Sequence, residues 1–478
     1  DGYYMRPRTD RADLEKYHED LIVCSACIAG EVPAKILKGD IAGAREACEW
    51  YYNLFGDDYY LELQRHKVPD DPSLLANREA YELQQKANKV LIEFAREYGI
   101  KLVCTNDCHF EDKETAEAHD HLLCIATGKD LDDPNRMRYS KQEWFKTREE
   151  MNEVFSDIPE ALSNTLEVLD KVEIYSIDHG PIMPFFPIPE SFGTEEQLRQ
   201  KVSEEDLYRE FTTDENGENQ LSPEEGQKVI DRLGGYDKIY RIKFEAEYLR
   251  HLAYEGARKL YGDPLPENVD EHVNFELHVM KTMGFPGYFL IVSDFIRAAR
   301  EELGVMVGPG RGSAAGSVVA YCLGITKIDP LKYDLLFERF LNPDRVNLPD
   351  IDTDFDDDGR GKVLRWVMDK YGHENCAHII TYGSMATKNS IKDVARVEKL
   401  PLDKANALCK AIPDRLPDGA KMNLANAIKY TPELKEAEYS SDPRESNTIK
   451  YARMLEGTIR GTGIHACGFI ICRDPISN

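Results

Sequence analysis

The run Leu348-Pro349-Asp350-Ile351-Asp352-Thr353-Asp354, followed by Phe355, alternates a carboxylate with an apolar or β-branched side chain. In a strand that period sends Asp350, Asp352 and Asp354 to one face and Ile351, Thr353 and Phe355 to the other. Same-face neighbours lie about 6–7 Å apart, so the anions repel unless solvent or a cation neutralises them, and hard divalent cations take oxygen ligands of this kind. The apolar partners predict a buried opposite face that holds the aspartates in place. A solvated acidic edge is the competing reading.

A second run, Gly308-Pro309-Gly310-Arg311-Gly312-Ser313-Ala314-Ala315-Gly316-Ser317, is entered from Val305-Met306-Val307 and left into Val318-Val319-Ala320-Tyr321. Glycines let backbone N–H groups approach a ligand, and the helix predicted after them offers a partially positive N-terminus, which suits a phosphate. Arg311 adds a cationic fork and Ser313 a hydroxyl. The run is neither a P-loop nor a dinucleotide fingerprint, and taken alone it reads equally well as a tight structural turn. Coupled to the aspartates it predicts a triphosphate cradle facing a divalent-metal site. Two-metal nucleotidyl transfer needs carboxylates bridging cations about 3.5–4 Å apart, a role that fits Asp350 and Asp352. A further carboxylate from a neighbouring strand is usual, and no convincing one stands in this sequence.

Lys388, Lys392 and Arg396 recur every four residues and form one cationic stripe on a helix. The stripe is either a solvated face or a seat for primer or template phosphates. Gly461-Thr462-Gly463-Ile464-His465-Ala466-Cys467-Gly468 reads as a glycine-rich turn carrying one histidine beside Arg460.

Nearer the start, Cys24, Cys27, Cys104, Cys108 and His109 hold a C-x-x-C and a C-x-x-x-C, a spacing open to zinc without matching recognised knuckles. Asp107 and His109 end one strand-like run and His66 another, an arrangement common for a metal site at the strand ends of an α/β barrel. His119 and His121 are two apart in a helical stretch, do not converge, and read as structural. Thr213-Asp214-Glu215-Asn216-Gly217 is not a calcium loop, because alignment on Gly217 puts Thr212 and Pro223 at ligand positions that need acids.

The elements that must position these groups follow from periodicity. Residues 1–175 alternate strand-like runs (LIVCSACIAG, YYLELQRH, IKLVCTNDCHF) with helix-like ones, an α/β pattern. A proline-rich linker, HGPIMPFFPIPESFG, follows, then a long charged helical region to about 284. After the aspartates come a helix over 361–372, a strand at HIITYGS and a mostly helical 385–457. At 478 residues, two to three domains are expected. No apolar run approaches the ~18 residues a membrane helix needs. Eleven scattered cysteines suit a reducing cytoplasm. The chain reads as an excised fragment. Its net charge of −27 opposes a nucleic-acid partner, yet Tyr382–Arg460 carries 14 Lys/Arg against 11 Asp/Glu, so a local basic track is compatible with the global excess of acid.

VGPGRGSAAGSVVAYCLGITKIDPL, LLFERFLNP, LPDIDTDFDDDGR, ITYGSMATKNSIKDVARV and GTGIHACGFII, in that order, resemble the family C replicative DNA polymerases. The resemblance covers all but an acidic stretch near 190–270, read as an insertion. It implies an α/β and α+β multidomain chain. Residues 1–175 would be the later part of a polymerase-and-histidinol-phosphatase (PHP) α/β barrel and 176–381 a nucleotidyltransferase-like mixed-sheet palm. Residues 382–459 would be a helical thumb and 460–478 the return into the palm. It further implies two Mg²⁺ ions on Asp350 and Asp352, with a third aspartate beyond this C-terminus. Gly312 and Ser313 would contact the incoming triphosphate, aided by Arg311 and Arg339. Lys388, Lys392, Arg396 and His465 would touch DNA. Cys27, Asp107 and His109, with His66 as a weaker candidate, match PHP ligands for Zn²⁺ or Mn²⁺. The implied partners are primer-template DNA, dNTP, and the sliding clamp, clamp-loader and exonuclease subunits of a replisome. The rival reading is a metal-dependent PHP phosphoesterase or 3′–5′ exonuclease, or a non-catalytic scaffold for an exonuclease subunit.

Overall fold

A computed structural model describes residues 3, 4, 6–70, 78–177, 182–214, 217, 218, 221–342 and 349–477. Leu348 of the aspartate run, His179-Gly180-Pro181 of the expected linker, and Glu215 and Asn216 of the rejected calcium loop lie outside the described residues. In chain order the elements are β1 (Val23–Cys24), α1 (Ile41–Phe55), β2 (Tyr59–Gln64), α2 (Glu79–Tyr98), β3 (Lys101–Thr105), α3 (Ala116–Thr127), α4 (Pro159–Lys171), α5 (Glu204–Thr212), α6 (Tyr236–Tyr261), α7 (Glu267–Thr282), α8 (Pro286–Glu301), α9 (Val318–Cys322), α10 (Asp357–Tyr371), β4 (Cys376–Ser384), α11 (Thr387–Val397), α12 (Pro443–Leu455) and β5 (Ile459–Ile471). They divide into two units. One is Asp1–Ser176 with Thr381–Gly463, the other Ile177–Ile380 with Ile464–Asn478.

In the first unit β2 is buried on both faces and lies between β1 and β3, parallel to each, with Leu61 opposite Leu102 and Leu63 opposite Cys104. Helix α2 turns Ala87, Leu91, Phe94 and Ala95 inward, the spacing of an amphipathic helix. Leu91 and Phe94 share a core with Leu61 and Leu63 of the sheet. Each such side chain contributes about 1.5–3 kcal/mol of burial. The expected strand LIVCSACIAG shortens to Val23–Cys24. The Ser25 hydroxyl accepts from Glu62 N–H at 2.8 Å and Ala26 turns to φ +62°, which takes the chain off the sheet.

The stretch expected as a separate thumb shares a core with the N-terminal part. Ala118, Cys124 and Ile125 of α3 pack with Ile391, Val394 and Ala395 of α11 and Ala452 of α12. His121 Nε2 lies 2.7 Å from Glu398 Oε1, and Lys399 Nζ lies 2.8 Å from Asp132. His121 is thus structural, as its helical position predicts.

In the second unit Leu249, Ala253 and Ala257 of α6 recur every four residues and meet Val273, Leu277 and Met280 of α7, Phe289 and Leu290 of α8, and Val318 and Val319 of α9. Among the described residues the strands comprise the three-stranded parallel sheet, the paired β4 and β5, a two-residue pair near the N-terminus and isolated bridges. The fold is mixed α/β and largely helical. Gly461–Gly468, expected as a turn, runs as part of β5. Pairing with β4 holds it extended although its side chains are mostly exposed. Among the described residues no helix is long and apolar enough to cross a membrane.

Candidate active site

Asp350–Asp354 has no regular secondary structure and exposes its carboxylates in alternation. Pro349 is buried, Ile351, Thr353 and Phe355 are partly buried, and Asp350, Asp352 and Asp354 are exposed. The segment is less regular than the strand its pattern predicts. One bridge, Val307 to Phe355, ties it to the preceding loop, with Gly308 N–H donating to Asp354 O at 2.9 Å and Asp356 N–H to Met306 O at 3.1 Å. Beyond Phe355 the chain turns at once into α10, whose N-cap Asp356 accepts from the Met306 and Gly359 N–H groups. Ile351 packs against the main core and Phe355 against the small cluster of Ala299, Val305 and Val363. The inward side chains therefore anchor the outward aspartates.

The glycine-rich run lies against this segment. Arg311 Nη2 is 3.7 Å from Asp352 Oδ1, and Nε is 3.5 Å from Asp354 Oδ1. Gly312 has φ +70°, a left-handed backbone, and a β-carbon built there would stand 3.7 Å from Asp352 Oδ2. Gly312–Gly316 forms a 3₁₀ turn with Arg311, Gly312 and Ser313 exposed and Ala314, Ala315 and Gly316 buried. A β-carbon on Gly316 would meet Leu336 O at 2.7 Å. This close approach seats the turn on Phe337–Arg339, where Phe337 enters the core and Arg339 stays exposed.

The helix N-terminus expected to face a phosphate is already occupied. Glu276 of α7, 1% exposed, accepts from the Ser317 hydroxyl at 2.7 Å, Val318 N–H at 2.8 Å and Val319 N–H at 2.9 Å. Ser317 in turn caps Ala320 N–H at 3.0 Å. The orphan donors of α9 are spent on a side chain of its own unit. Any phosphate would meet the Arg311–Ser313 turn, which precedes them. Burial pushes the Glu276 carboxyl up to about 7 against the pull of those three donors.

Tyr288 of α8 went unnoticed in the sequence because it lies in an apolar run. It packs against the same core as Ile351. Burial, with the charges of Asp350 and Asp352, pushes its hydroxyl up to about 12. Glu276 did leave a sequence signal, a lone acid in the stripe Val273, Glu276, Leu277, Met280.

The cationic stripe is only partly free. Lys392 is exposed. Lys388 pairs with Asp414 at 3.4 Å, and Arg396 donates to Cys124 O at 3.3 Å and lies 3.9 Å from Asp130. His465 is exposed on β5, its Nδ1 accepting from Cys467 and Gly468 N–H.

In the first unit Asp107 (φ +47°) and His109 meet at 3.4 Å. The His109 ring lies 4.5 Å from that of Tyr139 and 5.9 Å from that of His119. Burial first, then the charges of Asp107, Glu143 and Cys27, raise the Tyr139 hydroxyl. His66 already has hydrogen-bond partners on both ring nitrogens. Its Nε2 lies 3.0 Å from Asn106 O and its Nδ1 2.9 Å from the Gln84 amide nitrogen, which leaves no lone pair for a metal in this arrangement. Among the described residues no three His, Cys, Asp or Glu side chains form a ready metal cage. Cys24 and Cys104, each pushed up to about 11 chiefly by burial, are held as thiols.

Residues 247–478 match the family described as the bacterial DNA polymerase III alpha NTPase domain, and residues 1–66 match the PHP domain. The chain is 39% identical over 480 residues to DNA polymerase III subunit alpha of Borreliella burgdorferi, covering 100% of this chain and 36% of that protein. It is 39% identical over 497 residues to that of Thermus aquaticus (100% and 38%), and 38% identical over 487 residues to that of Campylobacter jejuni (99% and 36%). The chain thus spans between a third and two fifths of the length of these relatives. On these matches, which run from end to end, it belongs to the bacterial DNA polymerase III alpha family.

Proposed function

We propose that the complete polypeptide is a DNA-templated DNA polymerase that joins a dNTP to a primer 3′-hydroxyl. One observation carries the reading: the glycine-rich turn lies beside the aspartate segment, with Arg311 3.7 Å from Asp352 and 3.5 Å from Asp354. Exposed carboxylate oxygens are the hard donors that Mg²⁺ takes, so Asp350 and Asp352 fit as its ligands. Bound there, Mg²⁺ supplies charge that favours an ionised 3′-oxygen and steadies the pyrophosphate as it leaves.

The chain's own groups do the positioning. Arg311 holds its aspartates only at 3.5–3.7 Å, beyond a tight bidentate pair, so its fork can turn to the triphosphate. The exposed Gly312 and Ser313 line the same side, and Arg339 stands on the adjoining turn. Ile351, packed against the same core as Tyr288, anchors the backbone between Asp350 and Asp352. On this reading residues 1–175 are PHP domain, 176–381 palm with the 190–270 insertion, 382–459 thumb and 460–478 palm again. Lys388, Lys392, Arg396 and His465 serve primer-template DNA. Clamp, clamp-loader and exonuclease subunits are the expected cytoplasmic partners. Primer extension by Asp350→Asn and Asp352→Asn variants tests the assignment.

A second reading concerns the first unit. The buried His121–Glu398 contact and the shared core of α3, α11 and α12 favour a PHP domain that acts as a scaffold for the thumb. Cys27, Asp107 and His109 remain its candidate Zn²⁺ or Mn²⁺ ligands. Metal content of the complete polypeptide, compared with Cys27→Ala, separates a loaded site from scaffold alone.

A further inference from the structure

Phe275 and Glu276 are neighbours on α7, and each reaches a different one of the two turns assigned to the triphosphate. The Phe275 ring meets Phe337 of the Phe337–Arg339 turn edge-on, with centroids 5.9 Å apart at 77°. Glu276 holds the far end of the Gly312–Gly316 turn. Ser317 closes that turn by donating its N–H to Ala314 O at 3.2 Å, and its hydroxyl donates to Glu276 Oε2 at 2.7 Å. Ala314 and Phe337 enter the same core as Val273, Leu277 and Met280 of α7. The exposed Gly312 and Ser313 therefore stand one short 3₁₀ turn from a buried anchor.

The bonding of Glu276 depends on its charge. Oε1 accepts from Val318 N–H, and Oε2 accepts from the Ser317 hydroxyl and Val319 N–H. A proton on either oxygen makes it a hydroxyl, a poorer acceptor for the donors that face it, so all three bonds reach full strength only in the ionised form. Burial opposes that form, and Glu338 on the Phe337–Arg339 turn adds like-charge repulsion. Cys322 of α9, which feels the Glu276 charge, is pushed up to about 12 chiefly by burial and stays a thiol. A charge so placed lowers stability and tightens one thing, the end of the Gly312–Gly316 turn.

We propose that Glu276 is a positioning residue for the incoming triphosphate: as a carboxylate it fixes Ser317 and the start of α9, and through them the placement of Gly312 and Ser313. This role rests on the polymerase reading. The test is single-turnover primer extension by the complete polypeptide at saturating Mg²⁺, followed against dNTP concentration over about pH 6 to 8.5. In the wild type the KM for dNTP should fall as pH rises through about 7, where the carboxyl loses its proton, and level off above. Glu276→Gln should show a KM at least fivefold above that plateau at every pH, without the step, and a saturated rate within threefold of wild type. The nucleotide's own titration is common to both proteins and cancels in the comparison. Ser317→Ala removes one donor to the carboxylate and should move the step to higher pH. Unfolding midpoints establish that the variants are folded. A folded Glu276→Gln protein with the wild-type KM and pH course, or a step that stays in place in Ser317→Ala, overturns the proposal. Asp350→Asn in the same series separates the two readings. Extension that survives in it refutes the polymerase assignment and the role of Glu276 with it, whereas extension that it abolishes leaves the assignment standing whatever Glu276→Gln does.

Discussion

Arg311 Nη2 stands 3.7 Å from Asp352 Oδ1, and a β-carbon added to the neighbouring Gly312 would stand 3.7 Å from Asp352 Oδ2, so the phosphate-type turn lies beside the carboxylate segment. Space is available for that carbon, but the backbone is not, because φ is +70°. Gly312→Ala should therefore cost about 1–2 kcal/mol of stability in the second unit. If the turn serves the triphosphate, the KM for dNTP should also rise by roughly tenfold as the turn shifts, one decade being about 1.4 kcal/mol of lost binding. Thermal unfolding and steady-state extension measure the two effects. An unchanged KM would detach the turn from nucleotide binding.

Glu276 gives a pH signature. Its carboxyl loses its proton near 4.5 in the unfolded chain and near 7 in the fold, where burial opposes ionisation. Between those values the unfolded state binds fewer protons, so stability falls as pH rises and levels off above about pH 7. A shift of this size corresponds to about 3 kcal/mol. Glu276→Gln carries no titrating proton and should flatten the slope of denaturation midpoint against pH over that window. A slope unchanged in the variant would place the titration elsewhere.

Part of this was legible in the sequence. The alternation of Asp350 to Asp354 with Ile351 to Phe355 sets which side chains face solvent, because period two is a local property. The amphipathic spacing of α2 marks its buried face in the same way. What local pattern does not carry is the partner. The turn before α9 looks like an open phosphate-binding helix start until Glu276, far upstream, is found on its N–H groups. His66 resembles a strand-end ligand until Gln84 and Asn106 take both ring nitrogens. Arg396 completes a stripe by spacing, yet in space it turns to Cys124 and Asp130.

The joining of residues 1–176 to 381–463 should depend on His121 and Glu398. Both ring nitrogens of His121 face acceptors, Glu117 O and Glu398 Oε1, each at 2.7 Å, and the side chains of His121 and Glu398 are 3% and 10% exposed. Removing either partner leaves a buried polar group unmatched, so His121→Ala and Glu398→Ala should each destabilise the first unit by about 2–4 kcal/mol. In a double-mutant cycle the paired loss should be smaller than the sum of the single losses. Strict additivity by chemical denaturation would mean that the contact does not couple the two stretches.

The central claim is that Asp350 and Asp352 carry nucleotidyl transfer. Single-turnover primer extension by the complete polypeptide, with Asp350→Asn and Asp352→Asn as separate variants at saturating Mg²⁺ and dNTP, tests it most directly. Asparagine keeps the shape and removes the charge that holds a hard cation. Both variants should unfold at the wild-type temperature and extend at least 10³-fold more slowly, a loss of about 4 kcal/mol in transition-state stabilisation. Extension at the wild-type rate by either folded variant would contradict the account.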